Sequence, residues 1–405
     1  MPADSTLLLI PLFIAAAAAG WFFARKTAPS ATEQRRSENL SAEYFEGLNF
    51  LLNEQPDKAL EVFVRMVDVD SETIETHFAL GNLFRRRGEV YRAIRIHQNI
   101  VERPELPRAQ REQALRALAD DYLKAGLLDR AEALLQQLAD GSSTRQSEAL
   151  ERLVSIYEQE RDWEKAIVVQ DRLAALSPEG RSPIVAHYYC ELAEEALKRE
   201  DVDAARQSLR HARSADKGSI RGRLLRARLA TEEGDARLAA RLYTRVLKAD
   251  GAFAPLVLPP LRRAYEAMGE EAGFAEFIAE AVHERPELQP GVAYAAIVDG
   301  GFDDPATSAC IRQFVQQNPV LDDLLDILRP DRGGRDAEEK SIRRITEALR
   351  RLSGRGPSYR CENCGFAGST LFWQCPTCKS WDTTRPVAYF RFEAVLDSPS
   401  GSGAA

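Results

Sequence analysis

Along most of this chain apolar residues return three and four positions apart with polar residues between them, the spacing of one face of an α-helix, and small residues return at fixed places within pairs of such segments. Gly47, Ala59 and Phe63 recur as Gly81, Ala93 and His97, each displaced by 34 residues. The frame continues as Tyr122, Ala131 and Leu135, as Tyr157, Ala166 and Pro178, as Ala193, Ala205 and Leu209, and as Ala227, Ala239 and Tyr243. Past Asp250 it decays, although AYEAMGEEAGFAEFIAEAV and positions 291–328 still read as helical pairs.

A 34-residue period is that of tetratricopeptide repeats, in which small residues let helix A and helix B cross closely and a bulky residue later in helix B fills the gap to the next pair. Stacked pairs form a solenoid whose concave surface is lined mainly by A helices and serves as a binding face. The expected concave positions are Leu48, Leu51 and Leu52 in the first repeat and Asn82, Arg85 and Arg86 in the second. An apolar floor beside an arginine pair suits an extended peptide, with Asn82 bonding its backbone and the guanidinium groups taking carboxylates. Packing against neighbouring helices and a solvated face explain the same residues.

Two segments break the helical pattern. Thr6 to Ala24 runs nineteen positions without a charge, about 28 Å of helix, which predicts one transmembrane span. Arg25, Lys26, Arg35 and Arg36 follow it, so the body is expected on the cytoplasmic side. Near Pro330 the stretch DRGGRD ends the array, and a basic helix from about Ala337 to Leu352 leads to the second segment. That helix could face nucleic acid, acidic headgroups or the array itself.

The second segment, CENCGFAGSTLFWQCPTC at 361–378, pairs two Cys-x-x-Cys knuckles with ten residues between them. Cys361, Cys364, Cys375 and Cys378 supply the four thiolates that tetrahedral zinc or iron prefers, and Gly365 can take the positive φ that tightens such a turn. Two disulfides would need an oxidising compartment, and a thioredoxin-like motif a βαβ setting. With four positions filled no coordination site is open, so the metal is a structural clip or an electron carrier. Spacing favours zinc. Cys190 and Cys310 read as isolated buried thiols.

The organisation expected is therefore an anchor at 1–26, a juxtamembrane linker at 27–40, an all-α solenoid at 41–330, a basic helix and linker at 331–357, a small four-cysteine metal domain at 358–390 and a disordered tail at 391–405. Composition is globular, with 44% hydrophobic and 29% charged residues, and 54 basic against 62 acidic residues leave a formal charge of -8. That balance argues against nucleic acid as a partner. No phosphate-binding loop, nucleophile elbow, His-Glu-x-x-His or dinucleotide fingerprint occurs, and His77, His97, His187, His211 and His283 are scattered without ligand spacing. The expectation is a scaffold without catalytic residues.

GLNFLLNEQPDKALEVF, LGNLFRRRGEVYRAIRIHQ, AHYYCELA and SYRCENCGFAGSTLFWQCPTCKSWDTTRPV, with the N-terminal apolar run, resemble the lipopolysaccharide assembly protein B family of Gram-negative bacteria over nearly the whole chain. The resemblance implies an inner-membrane, single-pass adaptor with cytoplasmic repeats and a rubredoxin-like domain packed against them. It implies that the adaptor brings the deacetylase committing precursors to lipid A to the protease FtsH and answers to lipopolysaccharide level through an inner-membrane sensor protein. By that likeness the four cysteines hold iron; the ten-residue spacing and Lys379, standing where rubredoxins have glycine, favour zinc. A rubredoxin-type redox or electron-transfer protein is the alternative function. Self-association stays open.

Overall fold

The computed structural model describes residues 74–141, 145–176, 182–299, 304–318, 321–323, 335–352 and 358–387, together with positions 21, 45–47, 49–50, 53, 55, 58–59 and 62. The chain divides into two compact units, Met1–Glu160 and Arg161–Ala405.

The first unit is built from α1 (Ile74–Arg86), α2 (Val90–Val101), α3 (Arg108–Lys124), α4 (Leu128–Asp140) and α5 (Gln146–Glu160). Gly88 and Gly126, with φ of 82° and 74°, turn the chain between α1 and α2 and between α3 and α4, a left-handed conformation that glycine takes without steric penalty. Gly81 is needed for a different reason. A methyl group there would stand 2.5 Å from Nε2 of His97, so absence of a side chain on α1 is what lets the imidazole on α2 fit beneath it. His97 is held in turn by Asp121 of α3, with Nδ1 and Oδ2 2.5 Å apart, both side chains being fully buried.

The second unit continues the pairs as α6 (Trp163–Leu176), α7 (Ile184–Lys198), α8 (Val202–Ala215), α9 (Ile220–Glu232), α10 (Ala236–Ala249), α11 (Ala254–Met268), α12 (Glu271–Glu284), α13 (Gln289–Asp299), α14 (Pro305–Gln317) and α15 (Arg335–Leu352). Aspartates open several of these helices. Asp201, Asp235 and Asp304 accept hydrogen bonds from the backbone N–H of Ala204, Leu238 and Thr307 at 3.0, 2.9 and 2.8 Å, satisfying donors that the helix leaves unpaired. The turn from α7 to α8 uses Glu200 at φ 62° where the turn from α9 to α10 uses Gly234 at 81°.

The repeat frame is written in the burial pattern. Ala59, Ala93, Ala131, Ala166, Ala205 and Ala239 are all fully buried, as are Ala193 and Ala227; at such sites a larger side chain would push paired helices apart. His97, Leu135, Leu209 and Tyr243, four residues further along the B helices, are buried as well. In the fourth repeat that place belongs to buried Gln170, not to Pro178, which lies outside the described residues. Tetratricopeptide-type pairs are thus the fold of the helical part.

The degenerate region past Asp250 is as well packed as the rest. Phe253, Val257, Leu258, Leu261, Ile278 and Val292 join one continuous core, which α15 enters through Ile342, Ile345 and Leu349. The basic helix is therefore an internal element, amphipathic with Arg343 and Arg344 exposed on its other face. Nε of Arg350 donates to the carbonyl of Ile297 on α13 at 3.2 Å.

The expected membrane span is corrected. Among the described residues no helix is long and apolar enough to cross a membrane, and of positions 6–24 only Trp21 is described. In the described helices apolar residues form one face of an amphipathic helix, and the strongly buried run in α13 is only 11 residues long, about 17 Å against the roughly 20 residues a span needs. The inner-membrane, single-pass placement with a cytoplasmic body is not retained. The expected linker at 27–40 and tail at 391–405 lie outside the described residues.

Candidate metal centre

A three-stranded antiparallel sheet of order β2-β1-β3 carries the cysteines, with β1 at Ser358–Cys361, β2 at Ala367–Gly368 and β3 at Thr384–Val387. Cys361 ends β1 and opposes Thr384 of β3, so the first knuckle leaves the sheet as a turn. Gly365 N–H donates to the carbonyl of Cys361 at 3.0 Å, with Gly365 at φ 77°. The second knuckle repeats the geometry: Lys379 N–H donates to the carbonyl of Cys375 at 2.9 Å, and Lys379 has φ 60°. A lysine thus holds the left-handed place that glycine fills in the first knuckle.

These turns bring the four Sγ atoms within 4.8 Å of one another. Cys361 and Cys378 are 3.8 Å apart, and Cys364 and Cys375 3.6 Å. A tetrahedral ion with metal–sulfur bonds of about 2.3 Å sets sulfur–sulfur edges near 3.8 Å, so the donor set fits one metal ion and fills its coordination. Residues beside Cys378 and Cys361 already favour thiolates, whereas Cys364, though lowered by the backbone N–H of Phe366, is pushed up to about 12 by burial and by hydrogen bonds with the other three cysteines. The Ser380 hydroxyl and backbone N–H, with Asn363, pull Cys378 down to about 5, and the Thr383 hydroxyl, 3.3 Å from Sγ of Cys361, lowers that thiol. Cys190 is the opposite case: burial pushes it up to about 12, which makes it an inert packing residue. Cys310 is raised by burial too.

The metal domain does not stand apart from the helices of its unit. Trp373, from the stretch between the knuckles, stacks on Phe253 with centroids 5.9 Å apart and planes 6° from parallel. Trp381, just past the second knuckle, meets His187 at 5.2 Å and stands edge-on to Tyr188 at 5.7 Å and to Trp163 at 6.0 Å. Arg385 of β3 reaches Asp250 at 2.9 Å. Beneath Trp373 lies Arg221 of α9, almost fully buried, its guanidinium 5.9 Å from the ring and paired with Glu191 and Glu194 at 2.8 and 3.1 Å. Burial, reinforced by Arg221 and Arg385, drives His187 down to about 3, so its ring is neutral and packs as an aromatic.

Sequence reasoning found the four cysteines, and the resemblance implied a metal domain packed against the repeats, but the residues that form this seat were missed. Its signal was the placement of two of the chain's four tryptophans, Trp373 and Trp381, within a few residues of the knuckles. The residues expected on the concave face fare unevenly. Leu48, Leu51 and Leu52 lie outside the described residues. Arg85 is engaged within its own unit, donating to Asp121 at 2.8 Å, to the carbonyl of Ala117 at 3.0 Å and to Asn82 at 2.6 Å, while Arg86 is exposed.

Comparison with known proteins agrees with this architecture. Residues 359–386 match a family model described as a rubredoxin metal binding domain. Lipopolysaccharide assembly protein B of Escherichia coli K12 is 36% identical over 94% of this chain and 98% of its own length. The Haemophilus influenzae protein of the same name is 31% identical over 94% and 97%. Among solved structures, the C-terminal part of a TPR repeat-containing protein from Cytophaga hutchinsonii covers 69% of this chain and 98% of its own at 15% identity, with a TM-score of 0.37, too loose an overlap to bear on function. Identity at this level over nearly the full length of both relatives establishes that the chain belongs to the lipopolysaccharide assembly protein B family.

Proposed function

We propose that this chain is a regulatory adaptor in lipopolysaccharide assembly, and that it promotes degradation of the lipid A-committing deacetylase by the protease FtsH. The single observation that carries the reading is full-length similarity to two relatives both named for lipopolysaccharide assembly. Helical pairs of this type are binding scaffolds, and a four-thiolate centre with no open coordination position supplies no Lewis-acid chemistry. The chain is a scaffold and not an enzyme.

The metal is zinc on this reading, held by Cys361, Cys364, Cys375 and Cys378. Short spacing between the knuckles and Lys379 in place of the second glycine support zinc over the electron-carrying iron form. When bound, the ion locks the two knuckles together and so keeps Trp373 and Trp381 presented to α7 and the turn at Gly251–Phe253.

The test is the half-life of the deacetylase in cells depleted of this protein and then supplied with wild type or with Cys361→Ser. Depletion should lengthen the half-life several-fold, wild type should restore it, and the variant should not. An unchanged half-life on depletion would reject the adaptor reading. A reversible one-electron potential on iron-loaded protein purified from its native cells would favour the electron-transfer alternative.

A further inference from the structure

Where α8, α9 and α10 meet lies a cavity of about 210 Å³. Arg213, Lys217, Arg223, Arg226 and Arg245 line it against one carboxylate, Asp216, in a chain whose overall formal charge is -8. Oδ1 of Asp216 is already engaged, accepting from the backbone N–H of Gly218 at 2.7 Å. Nη2 of Arg223 donates to the carbonyl of Lys217 at 2.7 Å and so holds the loop in place.

Among the described residues Arg213, Lys217, Arg226 and Arg245 have no carboxylate within salt-bridge distance. Neighbouring arginines are matched. Arg206 pairs with Asp203 and Glu233 at 2.8 and 2.9 Å, and Arg221 with two glutamates. Partial burial, then the charges of Arg213 and Arg245, lower the pKa of Arg226, which is the mark of like charges gathered without a counter-charge. Leu209 and Leu242, both buried, form an apolar part of the lining, with Arg223 and Arg226 half-buried beside them and Arg213, Lys217 and Arg245 exposed at the rim.

We propose that this cavity binds a phosphoryl group, either on a soluble phosphate compound or on an anionic lipid headgroup. Guanidinium forks match phosphate oxygens bidentately. Five cations suit a group of charge about -1.5 to -2 better than a single carboxylate. The volume is below the roughly 300–1,000 Å³ of sites that enclose whole ligands, so a compact anionic head fits. This goes beyond the adaptor reading and stands without it.

The experiment uses the full chain. Inorganic pyrophosphate is titrated by calorimetry, and in a second arm the protein is floated with phosphatidylcholine vesicles containing or lacking phosphatidic acid. Wild type should bind in one arm at least. Binding of pyrophosphate assigns a soluble source; binding only to vesicles with phosphatidic acid assigns a headgroup. Arg226→Gln should weaken binding about tenfold or more, the loss expected for one charged hydrogen-bonding partner, and Arg213→Gln with Arg245→Gln should remove it. In phosphate-free buffer Arg226→Gln should also melt at a higher temperature than wild type, because repulsion is relieved. Failure of both arms, equal binding by wild type and the double variant, or a lower melting temperature of Arg226→Gln in phosphate-free buffer would each overturn the proposal.

Discussion

Trp373 lies flat on Phe253, the rings 5.9 Å apart and 6° from parallel, so a side chain from between the cysteine knuckles is seated on the turn that joins α10 to α11. Removing it should undock the metal domain and leave metal binding intact. Because Trp373 is only partly buried, Trp373→Ala is expected to cost about 1–3 kcal/mol, below the range of a fully buried aromatic, read as faster amide exchange at positions 251–253 and 359–386 with unchanged metal content. Unaltered exchange at both places would show that the stack does not hold the domain.

Cys361→Ser should act in the reverse order, losing the metal first and the docking as a consequence. Metal analysis should fall to background, and exchange at 251–253 should rise as in Trp373→Ala. If the metal is lost and exchange there stays slow, the ion is dispensable for docking.

His187 makes this seat sensitive to acid. In the fold it stays neutral down to about pH 3, whereas in the unfolded chain it takes up a proton below about 6.5. Unfolding therefore binds a proton, and stability falls as pH drops through the window from about 6.5 to about 3. Between pH 7 and pH 5 the loss is about 2 kcal/mol. Denaturant midpoints of wild type and His187→Gln should converge across that range; parallel curves would remove His187 as the source.

Left-handed backbone at Glu200 and Lys379, φ 62° and 60°, is strained for residues with a side chain. Glu200→Gly and Lys379→Gly should each raise stability by about 1 kcal/mol, measured by thermal unfolding of metal-loaded protein. A drop in either would mean that its side chain makes a contact worth more than the strain.

Gly81 and His97 should behave as one site. Gly81→Ala drives a methyl group into the imidazole and should destabilise by about 1–3 kcal/mol. Against a His97→Ala background the same change should be close to neutral. Additive effects in the double-mutant cycle would contradict the packing described.

The repeat frame is legible in the sequence because a small residue at a helix crossing is dictated locally. Ala93, Ala131, Ala205 and Ala239 are buried where the period puts them. In the fourth repeat the four-residue spacing from Ala166 leads to Gln170 and not to Pro178; the place is hard to read there because Gln170 is a polar residue in a buried position. The nineteen-residue apolar run at 6–24 carries a clear hydropathy signal but lies outside the described residues apart from Trp21, and no described helix is long and apolar enough to span a membrane. Arg85 resembles a ligand-facing cation because pairing with Asp121, 36 positions away, leaves no local mark.

By itself the sequence determined the period of the helices, the turn at Gly365, and four thiolates at a spacing that one metal ion satisfies, since each depends on residues close along the chain. Tertiary structure alone decided that Trp373 and Trp381 dock on Phe253 and His187, that α15 is a core helix, and that Arg213, Arg226 and Arg245 share one cavity. Those relationships join residues tens to more than a hundred positions apart. Apolar and like-charged side chains carry no code for a distant partner, so only packing can assign one.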